Sequence, residues 1–294
     1  MSSSPLVRRL RLGAALRDLR KAAGNISAEE LGKRLGWSRI IVTRLESDDE
    51  RKPDVGKVMS YLEACGVDEA DERYRTLVRV ARDAAETGWW ETRPYARMGA
   101  RLARIANLET GAKEIREFQL VMFPGLVQTP AMARYLAEVA IAEGDAIDLE
   151  TNLAARKRRQ GIITDPDGAD YELIVEEQAI RRLIAPANIM AEQLAHVLTL
   201  AERPNVTVRV MPVDARLEGL PPRTPFGVYS YADPGDPTVV AVDTVTEDLL
   251  ITEPGPADRY VRLWKRLHDA ALSPKESAEF ISTVASSLPT EARP

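Results

Sequence analysis

The sequence predicts a mainly α N-terminal domain of five helices, followed by an α+β domain whose sheet is mixed or antiparallel. Three observations lead there. Through residue 85, apolar residues recur at helical spacing. Residues 86–97, E-T-G-W-W-E-T-R-P-Y-A-R, form a connector punctuated by Gly and Pro. Over residues 98–294, strand-like and helical runs alternate, and several strands follow one another closely, the pattern of an α+β domain. A chain of 294 residues has room for two such cores, because single domains mostly hold about 100 to 200 residues.

The first helix is expected over 6–23, where Leu12, Leu16 and Leu19 share a face and arginines occupy the other; Gly24 and Asn25 end it. A second helix opens at S-A-E-E, where the Ser27 hydroxyl and the Glu30 carboxylate can satisfy each other's amides as a capping box. Gly36 stops that helix after about two turns, since glycine enters the left-handed conformation without steric cost. Ser38 caps a third helix, residues 39–46, with Val42 and Leu45 facing inward. A fourth is expected over 54–65 and a fifth over 71–85.

Two short helices joined by a tight glycine turn make a helix-turn-helix. Gly32 leaves room for the second helix to approach the third, and the turn aims the start of the third helix outward. Arg39, Ile40, Thr43 and Arg44 then project together, as major-groove readers do. An arginine can pair bidentately with guanine, and Ile40 or the Thr43 methyl can touch a thymine methyl. Ser27, Ser38, Arg51 and Lys52 stand where contacts to backbone phosphates are expected. The charge distribution agrees. Residues 1–66 carry 13 Lys and Arg against 9 Asp and Glu, although the whole chain has a net charge of -5.

With these features, residues 6–66 resemble the phage-repressor-like, Xre-type helix-turn-helix family. The resemblance implies double-stranded DNA as ligand and a structural pair between an arginine late in the first helix and a glutamate ending the recognition helix, here Arg20 and Glu46. Two departures stand out. Ala28 replaces the glutamine that in this family often contacts phosphate, so that contact is expected to be missing. The loop S-D-D-E-R-K-P replaces the usual glycine-containing turn, and its acids are expected to weaken contact with the backbone.

In the second domain, I-R-E-F-Q-L-V-M-F reads as a strand, P-A-M-A-R-Y-L-A-E-V-A-I-A and 148–163 as helices, and Y-E-L-I-V-E as a strand. Helices over 177–184 and 187–202 precede the strands N-V-T-V-R-V-M, F-G-V-Y-S-Y, T-V-V-A-V-D and E-D-L-L-I-T; helices over 256–272 and 274–287 follow. Thr129 is an N-cap with Pro130 at the first helical position. Trp89 and Trp90 are expected to pack the connector onto this domain, with a stacking platform for bases as the other reading.

Several chemistries find no support. One cysteine, Cys65, permits neither an intrachain disulfide nor a cysteine-based zinc site. His196 and His268 lie far apart on helices, and no nucleophile elbow, P-loop, dinucleotide fingerprint or H-E-x-x-H is present, so no catalytic residue, metal or cofactor is expected. No apolar run approaches a membrane span and the N-terminus lacks an apolar signal core, so the expected location is the cytoplasm, at the nucleoid.

The segments F-P-G-L-V-Q-T-P-A-M-A-R, R-K-R-R-Q, E-E-Q-A-I-R-R, E-Q-L-A-H-V-L, R-P-N-V-T-V-R-V-M-P and A-L-S-P-K-E-S-A together resemble antitoxin-like, WhiJ-type actinobacterial regulators across residues 6–288. That resemblance implies a regulator, expected to act as a homodimer, whose C-terminal domain binds a small companion protein encoded nearby. The basic run Arg156, Lys157, Arg158 and Arg159 offers either a docking surface for an acidic partner or a solvated helix face. The alternative function is a one-component sensor of a small ligand, with Phe226, Tyr229 and Tyr231 lining a pocket or else filling the core.

Overall fold

A computed structural model describes residues 4–47, 51–244 and 248–288. The chain divides into two compact units: residues up to Trp89 with Ala232–Pro237, and Trp90–Tyr231 with the residues from Thr238 onward. The fold class is as expected, a helical helix-turn-helix region followed by an α+β domain with a mixed sheet.

The first unit holds α1 (Pro5–Ala22), α2 (Ala28–Leu35), α3 (Arg39–Leu45), α4 (Val55–Ala64) and α5 (Glu72–Ala85). Each begins at a residue able to cap it. Ser4, Ser27, Asp54 and Asp71 accept from amides two or three residues on. Leu12, Leu16, Leu31, Val42, Tyr61 and Leu62 form the centre of the core, all but sealed from solvent. Not all arginines of α1 face water. Arg9 is buried and its Nε donates to the Ala84 carbonyl at 2.9 Å. Within the same unit, Nη1 of Arg8 and of Arg11 each lie 2.8 Å from Asp233 Oδ2.

The second unit runs α6 (Ala100–Glu109), β1 (Ala112–Gln119), α7 (Pro130–Ala142), α8 (Leu149–Thr164), β2 (Asp170–Glu176), α9 (Glu177–Arg181), α10 (Ala187–Ala201) and β3 (Val206–Met211). Then come β4 (Phe226–Tyr231), β5 (Val239–Asp243), β6 (Asp248–Ile251), α11 (Pro254–Ala270) and α12 (Pro274–Ser287). The strand order is β3-β2-β1-β4-β5-β6. β1, β2 and β3 pair in parallel because helices carry the chain back between them; β1 to β4, β4 to β5 and β5 to β6 are antiparallel.

The two faces of this sheet differ in chemistry. Phe118, Ile174, Phe226, Val228, Val240 and Val242 make an apolar face that packs with Trp264 and Leu267 of α11. Glu117, which alternation places on the opposite face, is also buried. It is paired in register with Leu173 and Gly227. Tyr171 donates its hydroxyl to Glu117 Oε2. A side chain on Gly227 would meet the Tyr229 ring at 3.0 Å, so the glycine gives that ring its place. Between α6 and α8, Arg159 makes a bidentate pair with Glu109 that is also buried.

Candidate nucleic-acid interface

Gly36 closes α2 at φ 68°, and its neighbour's amide, Trp37 N, donates to the Gly32 carbonyl at 2.8 Å. Gly32 itself faces this turn. A Cβ there would stand 2.8 Å from the Trp37 carbonyl oxygen, a separation no side chain tolerates. Replacing Gly32 with Val is therefore expected to force α2 away from the turn and cost about 1 to 3 kcal/mol by overpacking. Thermal unfolding of the full chain checks this; a melting temperature equal to wild type means the approach is not tight.

The turn leaves one face of α3 open. Arg39, Ile40, Thr43 and Arg44 are exposed, Ile40 by 58%, while Val42 on the other side is sealed. The guanidinium of Arg44 has no hydrogen-bond or ion-pair partner among the described residues. Thr43 turns its hydroxyl back onto the Arg39 and Ile40 carbonyls, which leaves its methyl as the outward group. Ser27 uses its hydroxyl in the capping box, accepting from Glu30 N at 3.1 Å, and Ser38 makes no side-chain cap bond; both are exposed. Arg51 and Lys52 are exposed beyond the end of α3, and Lys52 Nζ donates to Thr87 Oγ1 at 2.7 Å. Asp48, Asp49 and Glu50, expected to weaken backbone contact, lie outside the described residues.

The end of α3 is pinned from behind. Arg20 Nε and Nη2 donate to the two Glu46 oxygens at 2.6 and 2.7 Å, and the Tyr61 hydroxyl lies 2.6 Å from Glu46 Oε1. Burial pushes the Glu46 carboxyl up, but its bonds to Arg20 and Tyr61 outweigh that and hold it below its ordinary value. Arg17 Nη2 donates to the Glu46 carbonyl, and a Cβ on Gly13 would meet that same carbonyl at 3.0 Å. Gly13, Arg17 and Tyr61 escaped the sequence reading. Gly13 sits mid-helix with no turn nearby, and the tyrosine's partner is fifteen residues away on another helix.

Two family models match the chain. Residues 11–74 match a helix-turn-helix domain, and residues 102–283 match a domain of unknown function, DUF5753, which takes up more than half of the sequence. The chain belongs to the DUF5753 family. Neither a curated protein nor a solved structure matches it. The helix-turn-helix match supports a DNA-binding regulator.

Within the DUF5753 domain, three of the sequence segments that stood out meet at one corner. The loop F-P-G-L-V-Q-T enters α7 through Thr129, whose Oγ1 accepts from Met132 N at 3.1 Å. Gln193 of α10 donates to the Val127 carbonyl and accepts from Thr129 N, while Gln160 of α8 donates to the Gly125 and Gln128 carbonyls. A Cβ on Gly125 would press on the Arg159 and Arg156 guanidinium groups at 3.1 and 3.2 Å. This corrects one expectation. Arg159 is held by Glu109 inside the domain and does not present its charge to a partner, while Arg156, partly exposed, donates through Nη1 to Gln128 Oε1 at 2.9 Å. Lys157 and Arg158 remain exposed, Arg158 lying over the Tyr95 ring.

The pocket suggested for Phe226, Tyr229 and Tyr231 is corrected too. Phe226 packs against Phe118, Tyr260 and Trp264, Tyr229 is sealed, and the Tyr231 hydroxyl donates to the Leu108 carbonyl at 2.7 Å. Among the described residues, no cluster of His, Cys, Asp or Glu is arranged to hold a metal ion, and no helix is long and apolar enough to cross a membrane. Trp90 is buried and belongs to the second unit, whereas Trp89 is half-buried and belongs to the first.

Proposed function

We propose that this protein is a sequence-specific, non-enzymatic transcriptional regulator of the Xre type, working in the cytoplasm at the nucleoid. The observation that carries the reading is the open face of α3, where Arg39, Ile40, Thr43 and Arg44 stand clear of the unit while Arg20 and Glu46 hold the helix from behind. A lone module of this size buries too little surface for useful specificity. The protein therefore binds double-stranded DNA as a homodimer on two half-sites about one helical turn apart. The resemblance to antitoxin-like regulators supports a small companion protein as ligand of the DUF5753 domain, with Lys157 and Arg158 as the basic residues left to meet it.

Genome-wide DNA capture supplies the operator, and binding of variants then sorts the contacts. Arg39→Ala and Arg44→Ala are each expected to weaken operator binding by about tenfold or more and to relax one base position. Arg51→Ala and Lys52→Ala weaken all sequences alike and reduce the salt slope by about one each. Unchanged affinity and footprint in both α3 variants would sink the reading. Co-purification with the product of the adjacent gene, lost in a Lys157→Glu, Arg158→Glu variant, tests the companion.

A further inference from the structure

The turn between β4 and β5, Ala232–Pro237, packs as part of the first unit, although the strands on either side of it belong to the second. Its sequence, D-P-G-D at 233–236, prepares it. Pro234 presets the second turn position, the Asp236 amide donates to the Asp233 carbonyl at 2.9 Å, and the Gly235 amide donates to Asp233 Oδ1 at 3.0 Å. Both carboxylates meet α1. Arg8 Nη1 lies 2.8 Å from Asp233 Oδ2 and 3.0 Å from Asp236 Oδ1, and Arg11 Nη1 lies 2.8 and 3.2 Å from the same two oxygens. Asp83 of α5 stands 3.6 Å from Arg8 Nε. The Arg11 guanidinium also lies against Gly235, where a Cβ would meet its Nη2 at 2.3 Å. The side chains of Arg8 and Asp236 are only 9% and 3% exposed, so these charges are largely desolvated, and removing one partner strands the other.

The same helix carries a second pair of arginines. Arg17 and Arg20, each nine residues beyond Arg8 and Arg11, hold the Glu46 carbonyl and carboxylate at the end of α3. Nine residues of helix span about 13.5 Å, and α1 is continuous from Pro5 to Ala22. One rod therefore runs from a turn set between two strands of the DUF5753 sheet to the base of the DNA-reading helix. We propose that Arg8, Arg11, Asp233 and Asp236 are positioning residues for α3. With the turn engaged, α1 is fixed and holds α3 in its DNA-reading placement; with the turn released, operator affinity falls. The turn is then the point at which a change in β4 or β5 reaches the DNA-binding surface. The engagement stands without the regulator reading; only the effect on DNA rests on it.

The test uses the full chain and two variants. Asp233→Asn, Asp236→Asn removes both carboxylates, and Gly235→Val drives the Arg11 guanidinium from the turn without changing the charge. In both, hydrogen exchange followed by mass spectrometry is expected to show protection over 5–22 lowered at least about tenfold, while peptides of β1 to β3 keep theirs. The operator Kd is expected to rise at least about threefold in both. Charge alone predicts the reverse for the first variant, since removing two negative charges strengthens attraction to a polyanion. A cycle separates positioning from mere stability. In an Arg20→Met, Glu46→Leu background, which cuts the side-chain link to α3, the turn variants should lose α1 protection as before yet change the operator Kd by less than about 1.5-fold. Equal fold-changes in the two backgrounds would overturn the positioning role, as would unchanged or tighter operator binding in both turn variants. Unchanged protection over 5–22 in both would overturn the engagement itself. If protection falls but the wild-type chain binds no DNA, the regulator reading fails and the engagement stands.

Discussion

Glu46→Ala is expected to destabilise the helix-turn-helix unit by about 3 kcal/mol, because removing one member of a largely buried ion pair strands the other. Arg20 would lose both short bonds from Nε and Nη2, and the Tyr61 hydroxyl would keep only the Leu16 carbonyl, 3.0 Å away. The change lies away from the open face of α3, so it acts on the support and not on the reading surface. Hydrogen exchange followed by mass spectrometry resolves this unit from the other. Peptides spanning α1 to α5 should lose protection by about two orders of magnitude, while the sheet keeps its own. The double variant Arg20→Met, Glu46→Leu should recover part of the loss, since an apolar pair removes the uncompensated charge. Protection unchanged in Glu46→Ala would show that the pair adds nothing net. The pH dependence has a definite sign. Glu46 is lowered in the folded protein, so its contribution is present above the unfolded pKa of about 4.3 and is lost as pH falls through the lower folded value.

The DUF5753 domain should show the opposite pH dependence. Burial pushes Glu117 up to about 7, against the bond from Tyr171; Glu109 and Asp243 push the same way, while Arg159 opposes them. Burial likewise raises Asp243 and holds the Tyr171 and Tyr229 hydroxyls protonated. Glu117 therefore binds a proton in the folded state that the unfolded chain releases near pH 4.3. Its contribution is complete below that unfolded value, falls as pH rises, and is gone above about 7. The expected loss across this window is about 3 kcal/mol. Denaturant unfolding between pH 5 and 8 measures it. Glu117→Gln should remove most of the slope and leave the variant more stable than wild type at pH 8, less so at pH 5. A slope of equal size in Glu117→Gln would place the titration elsewhere, first at Asp243.

The limits of sequence reading show in particular elements. The helix starting at Ala100 was missed because it begins at Gly99, at φ 91° and without a side-chain cap, so none of the usual start signals precedes it. Glu117 reads as one more polar residue in a half-solvated strand; that it is buried depends on helices packed over that face. Arg156 to Arg159 read as a single charged patch, although residues three apart on a helix share a face and their neighbours do not. Which face turns inward was settled by Glu109, 50 residues earlier in the chain.

The sequence by itself determined the local events: the capping box at Ser27, the left-handed turn at Gly36, the alternation of strands and helices, and the outward set on α3. These depend on residues within about four positions of one another, where backbone sterics and short hydrogen bonds decide. Only the tertiary structure decided that Arg159 is an interior ion-pair partner, that Phe226 and Tyr229 fill a core, and that burial pushes Glu117 up to about 7. Burial and pairing of charge depend on which distant surfaces meet, and no spacing along the chain encodes that.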